Sequence, residues 1–382
     1  MDQQGLQQLL RSIIATAALA PSSHNCQPWS VRCLDREQYE AIAPDLPPSG
    51  EWTLALLLGI DRRRALAALP ALEREMRISV GGFASLLLNL LRLTGFGVRL
   101  QWLPKGWQCR QEQEPLLALL LEVPAQPTTS QHPLWQWIAR RHTVRGPFLP
   151  AARSAPLPAD QACLPYHLAC SADAATLHWH FVQGGELLER LAGFYRIHAA
   201  EDFRHGAAWR ETYRHLDFSA ATGPRPRSGI HIDRLFGALP DWQRRLYQFA
   251  LHPTVMRLAG PLGLHRRVGR DFESLVRQSA AIAYLCAEPG IGDERRQQLL
   301  AGERITELWL RVTRDGQSLH PLSVALQHPR IEQQLRQLLG CDTAVLFIAR
   351  VGSPAAPASP PPRYRRAPDS YCSFEFSAQA HQ

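Results

Sequence analysis

Apolar residues recur along the chain with periods that separate helices from strands. Residues 4–19 carry leucine and isoleucine three or four positions apart, which predicts an amphipathic helix. Residues 78–94 are apolar nearly all round, as in a helix inside a protein core. We predict further helices over residues 54–70, which are rich in Leu and Ala, and over 135–141, 185–198 and 294–313.

Short apolar runs between these helices predict strands. The predicted strands are 29–34, 98–103, 116–123, 177–182, 279–287 and 343–351. Helices and strands therefore alternate, which favours an α/β or α+β fold. A stretch rich in arginine and aromatics, residues 200–272, is predicted as helical pieces broken near Gly223–Gly229. Residues 353–362 form a Pro/Ala arm that we expect to be extended.

One short sequence occurs twice. Leu91–Gly97 reads LRLTGFG and Leu310–Gly316 reads LRVTRDG, each closing a long apolar helix. A match of this length can arise by chance. Its position, once in each half of the chain, nevertheless makes an internal duplication worth considering.

The composition is that of a folded protein. Of 382 residues, 45% are apolar and 20% charged, which argues against a largely disordered chain. No apolar run is long enough to predict a membrane span, and residues 1–8 do not resemble a secretory signal. Eight cysteines without a CxxC pair favour neither a zinc ribbon nor a disulfide scaffold, so we expect a cytoplasmic protein without a membrane partner.

Arginine dominates the charge. Lys105 is the one lysine among 42 basic residues, and the net charge is +8. Residues 204–270 come nearest to the basic and aromatic stripe of a nucleic-acid binder, but no recognition motif accompanies them. We therefore favour arginines scattered over a solvated surface and expect no nucleic-acid partner.

The densest unusual segment is Ala20–Trp29, which reads APSSHNCQPW. Its ordinary explanation is a turn after a helix, since proline breaks the helix and Ser and Asn bond their own backbone. Its four polar side chains can also bind an uncharged polar ligand by hydrogen bonds, as a flavin requires. These candidate residues are Ser22, Ser23, Asn25 and Gln27.

This segment resembles the APSxxNxQPW signature of the nitroreductase-like flavoprotein family, and three further segments resemble that family. The resemblance implies that Arg141, Thr143 and Arg145 hold the phosphate and ribityl chain of FMN. It implies that backbone in the loop of Pro321, Ser323 and Val324 faces the flavin ring. The basic cluster at Arg363, Arg365, Arg366 and Pro368 resembles the one that closes on the phosphate, so Arg365 and Arg366 are candidate FMN residues.

The order of these segments departs from the family pattern, in which the arginine segment precedes the APSxxNxQPW turn. A fusion of two subunits accounts for the order, as in the double-length, Acg-like branch. The resemblance thus implies an α+β nitroreductase-like fold, a pseudo-dimer of two fused halves with helices around antiparallel or mixed sheets. We assign residues 1–125 to the first half, 126–352 to the second, and 353–382 to a C-terminal arm. Each FMN anchor occurs once, which predicts one FMN per chain.

The assignment of arginines to the FMN phosphate also has a physical reason that does not depend on the resemblance. FMN phosphate is a dianion, which guanidinium groups bind bidentately. Arg141 and Arg145 are four positions apart and would share one face if they lay on a helical turn. The alternative is a solvated helix end that carries arginines.

Other candidates are weaker. His24 and His142 flank the two motifs and titrate near neutrality, although a histidine in a polar turn is usually only a turn residue. Cys26 is more readily a packed thiol than a reactive one. His178 and His180 alternate on a strand without a third ligand, so we expect no metal site.

The resemblance implies an FMN-dependent oxidoreductase that passes hydride through flavin N5, in a ping-pong cycle, from NADH or NADPH to a nitro compound, quinone or similar small molecule. No GxGxxG motif is present, so the nicotinamide is expected to bind only transiently. No side chain is assigned as catalytic acid or base. We expect residues 200–272 to form a lid over the flavin.

Several questions stay open. A closed lid would favour an FMN-storage protein, and the reverse reaction would make the protein a tailoring dehydrogenase. Arg225 and Arg227 in the lid are candidates for the NADPH 2′-phosphate, although a solvated turn is their ordinary explanation. The expected assembly is a monomeric pseudo-dimer or a weak homodimer.

Overall fold

The computed structural model describes residues 1–46, 50–107, 112–128, 131–157, 162–168, 176–219, 227–288, 293–356 and 363–376. Its helices are α1 (Gln3–Ala17), α2 (Arg36–Ile42), α3 (Pro70–Leu93), α4 (Leu134–Arg140), α5 (Gly185–His198), α6 (Glu201–Arg204), α7 (Gly206–Arg214), α8 (Asp233–Phe236), α9 (Asp241–Ala250), α10 (Pro253–Ala259), α11 (Leu264–Arg277), α12 (Glu294–Arg314), α13 (Val324–Gln327) and α14 (Pro329–Leu339). Its strands are β1 (Trp29–Asp35), β2 (Leu54–Asp61), β3 (Gly97–Trp102), β4 (Gln113–Glu122), β5 (Leu177–Val182), β6 (Leu216–Asp217), β7 (Ile230–His231), β8 (Ala281–Ala287), β9 (Ser318–Pro321), β10 (Ala344–Gly352) and β11 (Cys372–Glu375).

Apart from the added edge strand β11, the two large sheets have the same strand order. The first runs β11-β1-β2-β4-β3 and the second runs β5-β8-β10-β9. In each sheet one long helix lies between the second and third strands along the chain, α3 in the first and α12 in the second. The chain is therefore an α+β protein of two similar, fused halves, as the repeated heptapeptide at the ends of α3 and α12 suggested.

The two long helices pack directly against each other. Glycines allow this contact, because a Cβ atom at Gly81 would overlap the carbonyl oxygen of Leu299, and one at Gly302 would overlap that of Ile78. Most residues of both helices are buried. The helix α3 is long and apolar enough to cross a membrane, but 78% of its apolar window is buried inside the protein.

The C-terminal tail returns to the first half of the chain. Strand β11 pairs parallel with β1, in a register that joins Val31 to Cys372. Arg32 donates two hydrogen bonds to the carboxylate of Glu375, at 2.9 and 2.7 Å. This pairing carries the basic cluster at residues 363–366 to the APSSHNCQPW turn, since the turn leads directly into β1.

The predicted helix over residues 54–70 is wrong. Residues 54–61 form β2, a strand between β1 and β4 with all of its residues buried. A strand buried on both faces is a continuous apolar run, which periodicity alone does not distinguish from a buried helix. The helix α3 begins only at Pro70, which suits the first helical position because it has no N–H to leave unpaired.

The other predicted long helices and strands are confirmed to within a few residues, except that α3 begins eight residues earlier. The short elements α2, β6, β7, β9, α13 and β11, and also α14, were not predicted from the sequence. Residues 200–272 do form helical pieces, α6 to most of α11, with a small core of their own. The predicted breaks at Gly223, Pro224 and Pro226 lie outside the described residues.

Candidate functional site

The segment after α1 is a tight, strained turn. His24, Asn25 and Gln27 have φ values of 49, 53 and 51°, in the left-handed region that non-glycine residues seldom adopt. The backbone N–H of Cys26 bonds the carbonyl of Ser23 at 3.0 Å. The N–H of Gln27 bonds the hydroxyl of Ser22 at 3.2 Å. Such strain persists only where surrounding contacts fix the backbone, and here they do.

Asn25 joins three separate parts of the chain. Its side-chain amide donates to the carbonyls of Gly229, at 3.1 Å, and Tyr364, at 3.2 Å. Its oxygen accepts a bond of 2.8 Å from the guanidinium of Arg365. The turn, residues 227–229 and the C-terminal tail therefore meet at this one side chain.

The buried side chain of Gln27 connects the same three parts of the chain. Its amide nitrogen donates to the carbonyl of Arg227 at 2.8 Å, and its amide oxygen accepts from the backbone N–H of Arg366 at 3.0 Å. The guanidinium of Arg366 also bonds the carbonyl of Gln27 and lies over the ring of Tyr371, 5.3 Å from its centre. Four of the predicted FMN residues, Asn25, Gln27, Arg365 and Arg366, thus come together.

Arg141 is a buried cation held by weak partners. It is 5% exposed, donates to the carbonyl of Leu19 at 2.9 Å, and lies 4.6 Å from the ring centre of Trp309. Burial, together with the positive charges of Arg363 and Arg365, holds the pKa of Arg141 well below its usual range. Within the described ranges, none of these three arginines forms an ion pair with a carboxylate.

His142 and Arg145 follow Arg141 along the chain. Burial lowers the pKa of His142, with contributions from the charges of Arg141, Arg363 and Arg234. Burial and the charge of Arg234 lower the pKa of Arg145 to about 10. In the part of the chain that the structure describes, the Arg145 side chain donates no hydrogen bond. We call Arg141, Arg145, Arg363 and Arg365 the arginine row.

Arg141 and Arg145 do not lie on a helical turn. The helix α4 ends at Arg140, and Arg141 leaves it with ψ at 125°. The next residues are extended, and Thr143 forms a parallel bridge with Leu319 beside the second sheet. The pairing with β9 thus determines the backbone conformation here. The four-residue spacing of Arg141 and Arg145 therefore does not place them on one face of a helix. Arg141 consequently interacts with the tail arginines, and Arg145 with Arg234.

Glu75 connects the turn to the loop after Pro321, and sequence analysis missed it. The hydroxyl of Ser23 donates to one carboxylate oxygen of Glu75, and the amide of Gln327 donates to the other at 2.8 Å. Burial raises the pKa of Glu75. Gln327 ends α13, whose cap residue is Ser323, so this carboxylate fixes the predicted flavin loop against the turn.

The remaining loop residues are placed by β9 and α13. Pro321 is the last residue of β9 and pairs with Ala349 of β10. Ser323 precedes α13, and Val324 begins that helix with its side chain buried. Glu75 lies between the predicted helices 54–70 and 78–94, so no pattern in the sequence pointed to it.

A cluster of histidines covers the turn. The ring of His24 lies 5.9 Å from that of His215, which follows α7. Asp202 of α6 accepts a bond of 2.7 Å from His328, and its charge also acts on His24. Asp202 and His215 therefore lie close to the turn, and neither was foreseen from the sequence.

His24 gives the protein an acid-sensitive contact. Burial and the neighbouring charges of His215 and Arg145 outweigh the opposing effect of Asp202 and lower the pKa of His24 from 6.5 to about 4. The unfolded chain therefore binds a proton that the folded protein rejects between these two pH values. The stabilisation from neutral His24 is fully present above about pH 6.5, is lost as the pH falls towards 4, and amounts to about 3 kcal/mol.

We expect His24→Asn to lose less stability than the wild type when the pH falls from 7 to 4.5, as measured by urea unfolding. Asparagine suits this variant because it tolerates the left-handed φ of residue 24. His180→Asn, on the exposed edge of β5, is the control and should follow the wild type. Equal acid sensitivity of His24→Asn and wild type would show that His24 is not the group responsible.

Cys26 is a packed thiol and not a reactive one. Its sulfur lies 3.8 Å from that of Met76, and burial raises its pKa. Cys26 also borders a cavity of about 280 Å³, together with Arg63, Arg64, Ala65, Glu211, Arg214, His215 and Ser228. The cavity lies beside the turn, with arginines at its rim.

The two strand histidines have ordinary partners. His178 pairs with Glu288 at 3.0 Å, and His180 stacks on Tyr284. Across the described ranges no group of three or more His, Cys, Asp or Glu residues is placed to hold a metal ion. Arg227 exposes its side chain, while Arg225 lies outside the described residues.

Comparison with known proteins identifies the family. No protein-family model matches the chain. The curated protein Probable NAD(P)H nitroreductase PigM, from Serratia sp. (strain ATCC 39006), is 31% identical over 365 residues, which is 95% of this chain and 93% of that protein. A crystal structure described as a nitroreductase from Anabaena variabilis superposes with a TM-score of 0.50 at 11% identity, over 93% of this chain and 89% of that one.

The second match supports the fold alone, because its sequence identity is low. The first covers nearly the full length of both proteins. Their shared sequence, on a fold of two fused halves, shows that this chain belongs to the nitroreductase family of oxidoreductases as a double-length member.

Proposed function

We propose that the protein is an FMN-dependent oxidoreductase that transfers reducing equivalents from NAD(P)H to a small organic acceptor. The observation that carries this proposal is the arginine row, in which Arg141, Arg363 and Arg365 repel one another without a carboxylate partner among the described residues. Uncompensated buried cations are costly, so a bound anion would stabilise them. The Nε atom of Arg141 is buried and has no hydrogen-bond partner in the described part of the chain.

This donor set fits FMN. Its phosphate is a dianion that guanidinium groups bind with charge-assisted hydrogen bonds, and Arg141, Arg145 and Arg365 would hold it. The hydroxyl of Thr143 lies in the same segment and would bind the ribityl chain. The relative PigM carries the name of a probable NAD(P)H nitroreductase, which agrees with a nicotinamide donor. FMN, when bound, supplies the hydride-accepting and hydride-donating chemistry.

The turn and the Pro321 loop would hold the ring. Ser22 and Ser23 line the turn, and backbone at Ser323 and Val324 would border the ring edge. Glu75 keeps these two segments in register through Ser23 and Gln327. The amides of Asn25 and Gln27 already bond the lid segment and the tail. We therefore assign them the task of fixing the walls of the site, and Arg366 the same task through Gln27.

The histidine cluster would receive the substrates. Neutral His24 offers a buried Nδ1 atom, which has no hydrogen-bond partner in the described ranges, towards the space shared with His215. It would orient a polar group of the acceptor. The cavity bordered by Arg63, Arg64 and Arg214 lies beside the same turn and would accommodate an anionic part of the nicotinamide donor.

Reconstitution tests the proposal. We expect one FMN to bind per chain, because each anchor segment occurs once. Titration of the apoprotein, followed by flavin fluorescence, measures this stoichiometry. Two tight sites per chain would contradict the fused pseudo-dimer with one site, and no binding would contradict the cofactor.

Turnover is measured separately from binding. The FMN-loaded protein should oxidise NADPH or NADH faster when a quinone or a nitroarene is present than when it is absent. Hydrogen bonds donated by the side chains of Gln27 and Asn25 to the carbonyls of Arg227 and Gly229 favour a second candidate function, FMN storage beneath a closed lid. Tight FMN binding without acceptor-dependent oxidation of either nucleotide would support storage.

A further inference from the structure

One face of the segment 233–262 exposes an unusual amount of apolar surface. Nine large apolar side chains are prominently exposed in the described structure, and six of them lie on this segment. The six are Phe236, Trp242, Leu246, Phe249, Leu258 and Leu262, with exposed fractions from 44% to 86%. The other three, Met1, Phe181 and Ile197, lie on separate elements.

The spacing of these residues forms a stripe. Trp242, Leu246 and Phe249 are four and three positions apart on α9, so they project from the same side of the helix. The opposite side of α9 is fixed to the protein, because Arg244 is buried and bonds Asp233 at 2.9 Å. The apolar stripe therefore points away from the body of the protein.

Two neighbouring elements extend the stripe. The helix α10 packs against α9 and exposes Leu258, and the following turn exposes Leu262. Phe236 stacks on Tyr247 of α9 with ring centres 4.3 Å apart. We call these six residues the apolar face. A cluster of this kind is uncommon on a soluble surface and marks an interaction site.

The surroundings of the apolar face are basic. Exposed arginines on α9, α10 and α11 lie close to it in sequence, and Asp241 is the one acidic residue between 236 and 270. These arginines are Arg245, Arg257, Arg266, Arg267 and Arg270. The charges close to the stripe in sequence are therefore mostly positive, with Asp233, Asp241 and Asp271 as the acidic exceptions nearest to it.

We propose that the apolar face lies on a membrane surface that contains anionic lipids. A helix with Trp, Leu and Phe on one side and arginines beside them inserts its apolar side at the level of the headgroups, while the arginines pair with lipid phosphates. A second copy of the chain fits less well, because self-association through this face would bring two sets of arginines together. This peripheral contact departs from the expectation of no membrane partner that was drawn from the sequence.

The contact would bring the lipid surface near the site. The same insert supplies His215 and the carbonyls of Arg227 and Gly229 to the turn. An apolar acceptor dissolved in the lipid would therefore reach the protein on the side that carries the lid. The membrane proposal itself does not depend on the bound cofactor.

Vesicle sedimentation of the full chain tests this proposal. The wild type should bind phosphatidylcholine vesicles that contain phosphatidylglycerol, bind pure phosphatidylcholine vesicles more weakly, and be released by salt. The double variant Trp242→Ser, Phe249→Ser should bind the anionic vesicles at least about ten-fold more weakly, since these side chains supply the buried apolar area. Ile197→Ser, which removes an exposed apolar side chain from α5, is the matched control and should bind like the wild type.

A second variant distinguishes the electrostatic contribution to vesicle binding from the apolar contribution. Arg266→Glu, Arg267→Glu should lose the preference for anionic vesicles, and both variants should unfold cooperatively, because their side chains are exposed. Failure of the wild type to bind anionic vesicles, or equal binding by the wild type and both variants, overturns the proposal. A dimer of the wild type that becomes monomeric in the Trp242→Ser, Phe249→Ser variant also overturns it, because the face would then join two copies.

Discussion

Replacement of Arg141 or Arg145 by alanine should weaken FMN binding by roughly ten- to a hundred-fold. A hydrogen bond to a charged group contributes about 1.5–3 kcal/mol, and each variant removes one such donor from the phosphate. Arg145 is the better position for this test, because its side chain donates no hydrogen bond within the described structure and its substitution therefore removes none. Fluorescence titration of the apoprotein measures the affinity.

Riboflavin, which lacks the phosphate, distinguishes a phosphate contact from a general loss of the site. The variants should bind riboflavin as the wild type does while losing affinity for FMN. Arg140→Ala removes an exposed arginine from the end of α4 and should leave both affinities unchanged. If Arg141→Ala and Arg145→Ala both keep the wild-type affinity for FMN, the assignment of the arginine row to the phosphate is wrong.

Substitution of Gly302 by alanine should destabilise the protein by about 3 kcal/mol, because it overpacks the contact between the two long helices. The new Cβ atom would overlap the carbonyl oxygen of Ile78 and lie 2.6 Å from the backbone nitrogen of Gly82. These atoms belong to the backbone of α3, so a side-chain rotation cannot relieve the overlap. Guanidinium unfolding followed by tryptophan fluorescence measures the loss.

Gly193→Ala provides the matched control. Gly193 lies inside α5, and nothing lies within 4 Å of the position that its Cβ would occupy. The same substitution should there increase stability by about 0.5–1 kcal/mol, since alanine loses less backbone entropy than glycine in a helix. If Gly302→Ala is as stable as the wild type, the glycines do not set the spacing of the two halves.

The site shows which parts of a function a sequence can predict. The APSSHNCQPW turn and the arginines were visible because they are local patterns of residue type. The partners of those residues were not visible, since Asn25 bonds Gly229 and Tyr364, which lie more than 200 residues away. The amides of Asn25 and Gln27, predicted as flavin ligands, bond the protein itself in this structure.

The fold likewise contains some elements that the sequence predicts and others that it does not. Helices with a clear period, such as residues 4–19, were predicted because one face of the helix is polar and the other apolar. Residues 54–61 were wrongly predicted as helical, because a central strand has no polar face. The short elements that complete the sheets, β9 and β11, are defined by pairing with distant strands and carry little signal of their own.

The sequence by itself determined the family resemblance, the α+β alternation and the set of residues available to bind an anion, because these depend on residue type and short-range spacing. The tertiary structure alone decided which arginines share a neighbourhood, that Glu75 links the turn to the Pro321 loop, and that Trp242, Leu246 and Phe249 face outward. The physical reason is that burial, charge repulsion and exposure are properties of contacts between segments far apart in the chain, and a local pattern does not contain them.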